Sequence, residues 1–250
     1  MTAPTAIVTG AARRLGRVLT QGLLDDGWKV VAHVHRDDDD VPPGASRVVA
    51  DLANEDCAER LFDACAQAPV LLVNNAARFA PDSLEDFSPT ELAAHMTVNV
   101  LAPALLTAAF ARAAAGADQA DRSIINILDA KWRAPNPDFL SYTLSKAALA
   151  QLTELSARAL AAKGIRVNAI APALMLQSPG QTADNFERAH TFNPLGRGVE
   201  PNDVLSALRF LRDSRITTGE VLLLDAGQRF WGLGRDVQYL DLRSIEEPSQ

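Results

Sequence analysis

Short stretches that are apolar at successive positions recur along the chain, separated by longer stretches with helical periodicity. Thr5 to Thr9, Lys29 to His35, Arg47 to Ala50, Val70 to Val73, Ser123 to Leu128, Ile165 to Ile170 and Val221 to Leu224 read as strands. An apolar run without polar alternation is the mark of a strand covered on both faces, as in a parallel sheet. Helices are predicted over Val18 to Leu24, from Asn54-Glu55 onward, from Ser88-Pro89-Thr90-Glu91 toward Ala115, around Tyr142 as far as Lys163-Gly164, and over Asp203 to Leu211. Ser88 with Glu91 and a proline between them is a capping box with proline at the first helical position, and Gly164 is a fitting C-terminal stop. Strand and helix in alternation predict an α/β fold, a single-domain Rossmann-type doubly wound parallel sheet flanked by helices, over residues 1–250. Two stretches depart from the pattern. Residues 171–198 lose periodicity around Pro172, Pro179-Gly180 and Pro194, which predicts an irregular substrate lid. The tail, 228–250, holds Phe230, Trp231, Leu233, Val237, Tyr239 and Leu240, too apolar to stay in water, and is expected to dock on its own subunit or on a neighbour.

Composition narrows the classes. With 250 residues, 48% of them hydrophobic, one domain can bury a full core, and no linker or repeat divides it. The formal charge of −7, without a basic stripe, argues against nucleic acid as a partner. Nothing reads as a membrane span, and MTAPTAIVTG lacks the basic start of a signal peptide, so a cytoplasmic protein is expected. Cys57 and Cys65 read as reduced packing residues, and His33, His35, His95 and His190 show no metal-ligand spacing beyond one H-x-H pair.

The first strand runs into Gly10-Ala11-Ala12-Arg13-Arg14-Leu15-Gly16 and a helix. Glycines at both ends permit a tight turn, and the helix start offers N–H groups and a positive dipole end to a pyrophosphate. Arg14 stands where a glycine is usual. At the end of the second strand a dinucleotide fold places an acid for NAD or a base for the 2′-phosphate of NADP. The residue there is Arg36, after His35, with Arg13 as a second cation, so NADP is favoured. Asp37 to Asp40 read as a solvated loop, although folding inward they would repel a phosphate. Asp51-Leu52 ends the third strand, either to accept from an adenine amino group or to cap the next helix. Asn74-Asn75-Ala76-Ala77 leaves the fourth strand as a turn with small residues that lets backbone approach a flat ring; Phe79 then stacks on such a ring or roofs the core. Asn99, in the long helix near Pro103, must be satisfied if buried.

Candidate chemistry centres on Asp129, Tyr142 and Lys146. Tyr142 and Lys146, four apart on a helix, share a face, and Asp129 ends a buried strand, where open α/β sheets bind ligands. Bringing a tyrosine pKa from ~10 to near 7 takes ~4 kcal/mol. An ammonium ~4.5 Å away at an effective dielectric of ~20 supplies ~3.7 kcal/mol, so the pair is expected to act as a general acid near neutral pH.

These motifs, in this order, resemble the short-chain dehydrogenase/reductase family from Thr9-Gly10 to Gly227: the Thr9-Gly10…Leu15-Gly16 turn, Asp51-Leu52, Asn74-Asn75-Ala76, Asn99, Tyr142 with Lys146, Arg166-Val167-Asn168 before Pro172, and Thr218-Gly219 before Asp225. The resemblance implies Tyr142 as proton donor, Lys146 on the nicotinamide ribose and lowering the tyrosine pKa, Asn99 holding a relay water, and a homodimer or homotetramer. Asp129 stands where the family usually has serine. With an arginine in the glycine-rich turn, this looks like the pteridine and dihydromonapterin reductases. That likeness implies NADPH as cofactor and a pterin substrate, with Phe79 stacking on the pterin, Arg14 at its polar edge, Asp129 bonded to it, and Tyr142 and Leu174 lining its site. An ionised carboxylate beside Tyr142 also keeps the phenol protonated, which suits reduction. A carbonyl reductase of another substrate and a non-enzymatic dinucleotide sensor are the alternatives.

Overall fold

The computed structural model describes residues 2–115, 121–178 and 180–241. Seven strands form one parallel sheet: β1 (Thr5–Val8), β2 (Lys29–Val34), β3 (Ser46–Val49), β4 (Leu71–Asn74), β5 (Arg122–Ile127), β6 (Ile165–Pro172) and β7 (Val221–Leu224), in the order β3-β2-β1-β4-β5-β6-β7. β1 pairs with β2 through Thr5 opposite Lys29 and with β4 through Ala6 opposite Leu71. The strand order therefore reverses between β1 and β4. A crevice opens at the carboxyl ends of the strands at such a switch point, and the functional residues gather there.

Helices cover both faces. α1 (Arg14–Asp25) buries Leu15, Leu19 and Leu23 against one face, beside Val204, Leu208 and Leu211 of a later helix, Pro201–Asp213. On the other face, α2 (Cys57–Asp63) contributes Leu61, packed with Leu106 and Phe110, Ile7, Leu72 and Ile124. α3 (Pro89–Met96) opens as its capping residues predict, with Ser88 Oγ accepting from the N–H of Glu91. A π turn, Thr97–Leu101, carries it into α4 (Ala102–Ala113). Pro103 has no N–H to offer the carbonyl of Asn99, which is why regular α pairing breaks there. By length and composition alone the run Pro89–Ala113 could cross a bilayer, contrary to the sequence reading. Its Leu106 and Phe110 are instead in the core beneath the sheet.

α5 (Leu140–Leu160) is the longest helix among the described residues. Its first turn is capped from outside: Asp82 accepts from the Ser141 N–H at 3.0 Å and from the Ser141 hydroxyl. Residues 171–198 are more regular than their sequence suggests. β6 extends to Pro172, and α6 (Ala183–Thr191) occupies the middle, with Thr182 accepting from the N–H of Asn185 as its cap. α7 (Pro201–Asp213) follows and leads to β7. The tail lies on its own subunit as far as Asp241. Val237 is buried, Trp231 packs edge-on to Phe192, and Tyr239 stacks on Phe139; positions 242–250 fall outside the described residues.

Candidate active site

Asp129 leaves the carboxyl end of β5 and caps a single 3-10 turn, Ala130–Trp132: its Oδ1 accepts from the N–H of Lys131 at 2.8 Å. Its Oδ2 accepts from the Tyr142 hydroxyl at 3.0 Å. Lys146, one turn along α5, donates to the carbonyl of Ile127 at 2.7 Å, and its Nζ lies 5.6 Å from the centre of the Tyr142 ring. The three groups are thus brought together as their spacing predicts.

Their electrostatics differ from that expectation. Burial pushes the Tyr142 pKa well above the ordinary tyrosine value, and the Asp129 carboxylate adds to the rise. The ammonium of Lys146 does not dominate because burial works against it too, bringing its own pKa down to about 8 with Asp129 partly opposing. Asp129 is raised by burial, offset in part by the Lys131 N–H and the nearby ammonium groups. Around neutral pH the proton of the Tyr142–Asp129 pair therefore sits on the phenol.

A cavity of about 260 Å³ opens on this triad. Arg14, Phe79 and Leu174 line it together with Asp129, Tyr142 and Lys146. Phe79 stands edge-on to Tyr142, 4.8 Å between centroids, and stacks on Phe139 at 4.6 Å. It neither hangs free nor disappears into the core: at 39% exposure it leaves ring surface available for a flat ligand. The far side of the cavity is built by the tail, from Arg229 to Gln238.

A larger cleft of about 1050 Å³ adjoins it over the ends of β1, β2 and β4. Gly10, Arg13, Arg14, Leu15 and Gly16 form its floor; His35, Asp51 and Leu52 lie toward one end, and Ala76 borders it near the cavity. Gly16 is required there, since a Cβ at that position would sit 2.0 Å from the carbonyl oxygen of Gly10. Arg14 adopts a left-handed backbone, φ 51°, where glycine would be easier. Its guanidinium crosses to the 171–198 segment and donates to the carbonyls of Leu176 (3.3 Å) and Gln177 (3.0 Å).

Tyr142 and Lys146 reach the cofactor space from the smaller cavity, and three residues expected at the cofactor line neither the cavity nor the cleft. Arg36 stays outside, while Asp39 of the acidic loop lines it; the loop folds back because Asp39 Oδ2 accepts from the Arg36 N–H. Asn74 is buried and donates to Asn126 Oδ1 at 2.8 Å. Its neighbour Asn75 lines the cleft instead and donates to the carbonyls of Thr9 and Gly10. The Asn99 side chain is saturated, accepting from the N–H of Arg78 and donating to the Arg78 carbonyl and to Ser145 Oγ. His33, which sequence reasoning did not place at the cofactor, also lines the cleft. Its Nδ1 accepts from the Gly10 N–H at 3.1 Å and its Nε2 faces the Ala50 carbonyl at 3.0 Å, which puts the ring proton on Nε2 and ties the glycine-rich turn to β2 and β3. Its signals in the sequence were the H-x-H pair, which has no other metal-ligand spacing around it, and the His33-Val34-His35-Arg36 string at the second strand.

The family model described as enoyl-(acyl carrier protein) reductase matches residues 10–229. The chain belongs to the short-chain dehydrogenase/reductase family. Among its relatives in this family, pteridine reductase 1 of Leishmania tarentolae is 33% identical over an alignment covering 90% of this chain and 96% of that protein. L-xylulose reductase of Mesocricetus auratus is also 33% identical, covering 89% and 95%. The solved structure of FolM alternative dihydrofolate reductase 1 from Brucella suis in complex with NADP superposes with a TM-score of 0.84 at 33% identity, covering 92% of this chain and 96% of that one. This short-chain dehydrogenase/reductase is accordingly an oxidoreductase.

Proposed function

We propose that the protein is an NADPH-dependent pterin reductase that adds hydride and a proton across a C=N bond of a dihydropterin. The observation that carries this reading is the Tyr142 hydroxyl donating to Asp129 at 3.0 Å beside the exposed ring of Phe79. A flat ring fits against Phe79, and its ring N–H groups meet a carboxylate acceptor.

The cleft suits the cofactor. The turn from Gly10 to Gly16 and the start of α1, with no acidic side chain in its first turn, fit a pyrophosphate. Arg13 is the cation for a 2′-phosphate, Asp51 and Leu52 face the adenine end, and Lys146 holds the nicotinamide ribose. When bound, NADPH supplies the hydride. Tyr142 delivers the proton to the ring nitrogen that gains the electron pair, the ionised Asp129 orients the substrate and keeps the phenol protonated beforehand, and solvent returns a proton to the phenolate after the transfer. With the Asn99 side chain saturated, any relay water falls to its backbone carbonyl, which Pro103 leaves without an α-type donor. Exposed Leu144 and Leu155 on α5 support a homo-oligomer built across that helix.

The test is NADPH oxidation by the purified protein with dihydropterins, dihydrofolate and simple ketones, with NADH and Tyr142→Phe as controls. Dihydropterin turnover that requires NADPH and is lost in Tyr142→Phe is the expected result. Ketone turnover without pterin turnover would favour the carbonyl reductases instead, a reading that the likeness to L-xylulose reductase keeps specific. NADPH binding without any turnover would make the protein a dinucleotide sensor.

A further inference from the structure

Phe79 lines the cavity and Phe139 does not, yet the two rings stack with centroids 4.6 Å apart and planes 17° from parallel. Phe139 is the shared member of a longer stack, since Tyr239 of the tail lies against it at 5.9 Å with planes 8° apart. It is buried, whereas Phe79 and Tyr239 keep 39% and 47% exposure. Its backbone is left-handed, φ 58° and ψ 48°, an unfavourable conformation for a bulky side chain. A residue is held that way only where its surroundings over-determine the chain, and such places cluster at sites of function. From this geometry we infer that Phe139 is a positioning residue of the reaction: it fixes the plane of Phe79, and so the face on which a dihydropterin is held, without touching the substrate. The inference rests on the pterin reading above and adds a residue to its machinery.

The restraints come from both sides of the residue. Asp138, immediately before it, pairs with Arg235 at 2.8 Å and accepts from the Asp236 N–H at 2.7 Å. Leu140, immediately after it, donates its N–H to the carbonyl of Asp82 at 3.2 Å, and the Phe139 carbonyl accepts from the Thr143 N–H at 2.8 Å in the first turn of α5. The tail that brings Tyr239 is tied down a second time where Lys131 Nζ meets Asp236 Oδ2 at 2.5 Å. Moving Phe139 therefore means loosening either the tail or the helix that carries Tyr142. Phe79 has no such backbone support, because it lies in the irregular segment 75–83 after β4; beyond Phe139, its ring meets Tyr142 edge-on at 4.8 Å. A side chain that must be ordered at the moment of binding weakens the ligand, and one ordered beforehand does not. Stacking on Phe139 supplies that order in advance.

The experiment is calorimetric titration of the NADP-bound protein with biopterin, alongside the Kd for NADPH and the KM and kcat for dihydrobiopterin. The native chain is compared with Phe139→Leu, Phe139→Tyr, Phe79→Leu and the double variant Phe79→Leu/Phe139→Leu. Phe139→Leu keeps much of the bulk but no ring, so the biopterin Kd and the dihydrobiopterin KM should rise by about 2- to 13-fold, the worth of one aromatic pair, with kcat and the NADPH Kd within about twofold of native. Phe139→Tyr keeps the ring and should recover most of that loss. In Phe79→Leu the ring to be oriented is gone, so adding Phe139→Leu should change the biopterin Kd by less than about twofold, whereas independent effects would multiply. Should Phe139→Leu fail to fold, Tyr239→Leu removes the outer ring of the stack at a half-exposed position and should raise the biopterin Kd in the same direction by a smaller factor. An unchanged biopterin Kd in Phe139→Leu, or in Tyr239→Leu where that variant stands in for it, would overturn the inference while the pterin reading stood. So would a loss of NADPH affinity as large as that of biopterin affinity, or effects that multiply in the double variant. A native chain that neither binds biopterin nor turns over dihydrobiopterin would overturn that reading and this inference with it.

Discussion

Asp82 lies in the loop between Phe79 and α3 and takes no part in the chemistry, yet it fixes the helix on which the chemistry is mounted. Its carboxylate accepts from both the backbone N–H and the hydroxyl of Ser141, the residue before Tyr142, and Ser141 is fully buried. In Asp82→Ala both donors lose their acceptor. Loss of a capping acceptor costs about 0.5–2 kcal/mol, and each buried donor left unpaired costs about 1–3 kcal/mol. Using the lower part of these ranges, because an exposed loop can relax, we expect about 2–4 kcal/mol. At ~2–4 °C per kcal/mol for a chain of this size, the melting temperature should fall by about 4–16 °C. Scanning calorimetry measures this directly. Asp82→Asn keeps one acceptor oxygen for the Ser141 N–H and should recover at least half of the loss. Because the same loop carries Phe79, the KM for a dihydropterin should rise in Asp82→Ala while kcat changes less. A melting temperature within about 2 °C of the native value in Asp82→Ala would refute the capping argument.

Other outcomes follow from the same geometry. With the Lys146 pKa at about 8, kcat/KM should decline as pH rises through that value, since only the ammonium form suits the cofactor role proposed for it; a flat profile from pH ~7 to ~9 would remove that role. His33 is held neutral, its pKa lowered by burial, so the unfolded chain binds the extra proton first as pH falls. Stability from this group is therefore complete above the unfolded value of ~6.5 and is lost below it. Melting temperatures between pH ~7 and ~5 should fall more steeply in the native chain than in His33→Gln, whereas NADPH affinity should hold while the folded ring stays neutral and weaken only at lower pH, once its protonation takes the acceptor from Gly10. Gly16→Ala forces a Cβ into the Gly10 carbonyl, and overpacking of this kind costs about 1–3 kcal/mol. Calorimetry should show the loss, and titration should show weaker NADPH binding.

The sheet was legible because a parallel strand covered on both faces has an apolar run that little else imitates. Asp129, Tyr142 and Lys146 were legible because one helical turn and one strand end fix where they point. Less could be read where neighbours on a strand diverge. Successive side chains leave opposite faces, so Asn74 turns inward to Asn126 while Asn75 reaches the glycine-rich turn, and composition alone does not say which is which. The helix Ala183–Thr191 was hidden by the prolines and glycines around it, although Thr182 and Asn185 stood at capping distance. The tyrosine pKa moved opposite to the Coulomb estimate because that estimate held one cation and omitted burial, which acts on the tyrosine and the lysine alike. The pairing of Lys131 with Asp236 joins a loop to a distant tail, and no local pattern announces it.

The ion pair of Arg235 with Asp138 bears on how the protein is made. Arg235 and Asp138 are 97 residues apart, and every strand of the sheet is complete before Arg235 emerges from the ribosome. The residues lining the cleft all lie between Gly10 and Ser178, as do Asp129 and Tyr142, whereas one side of the cavity comes from residues after Leu224. Synthesis is vectorial, so every residue lining the nucleotide cleft is made before the tail that supplies the far side of the cavity.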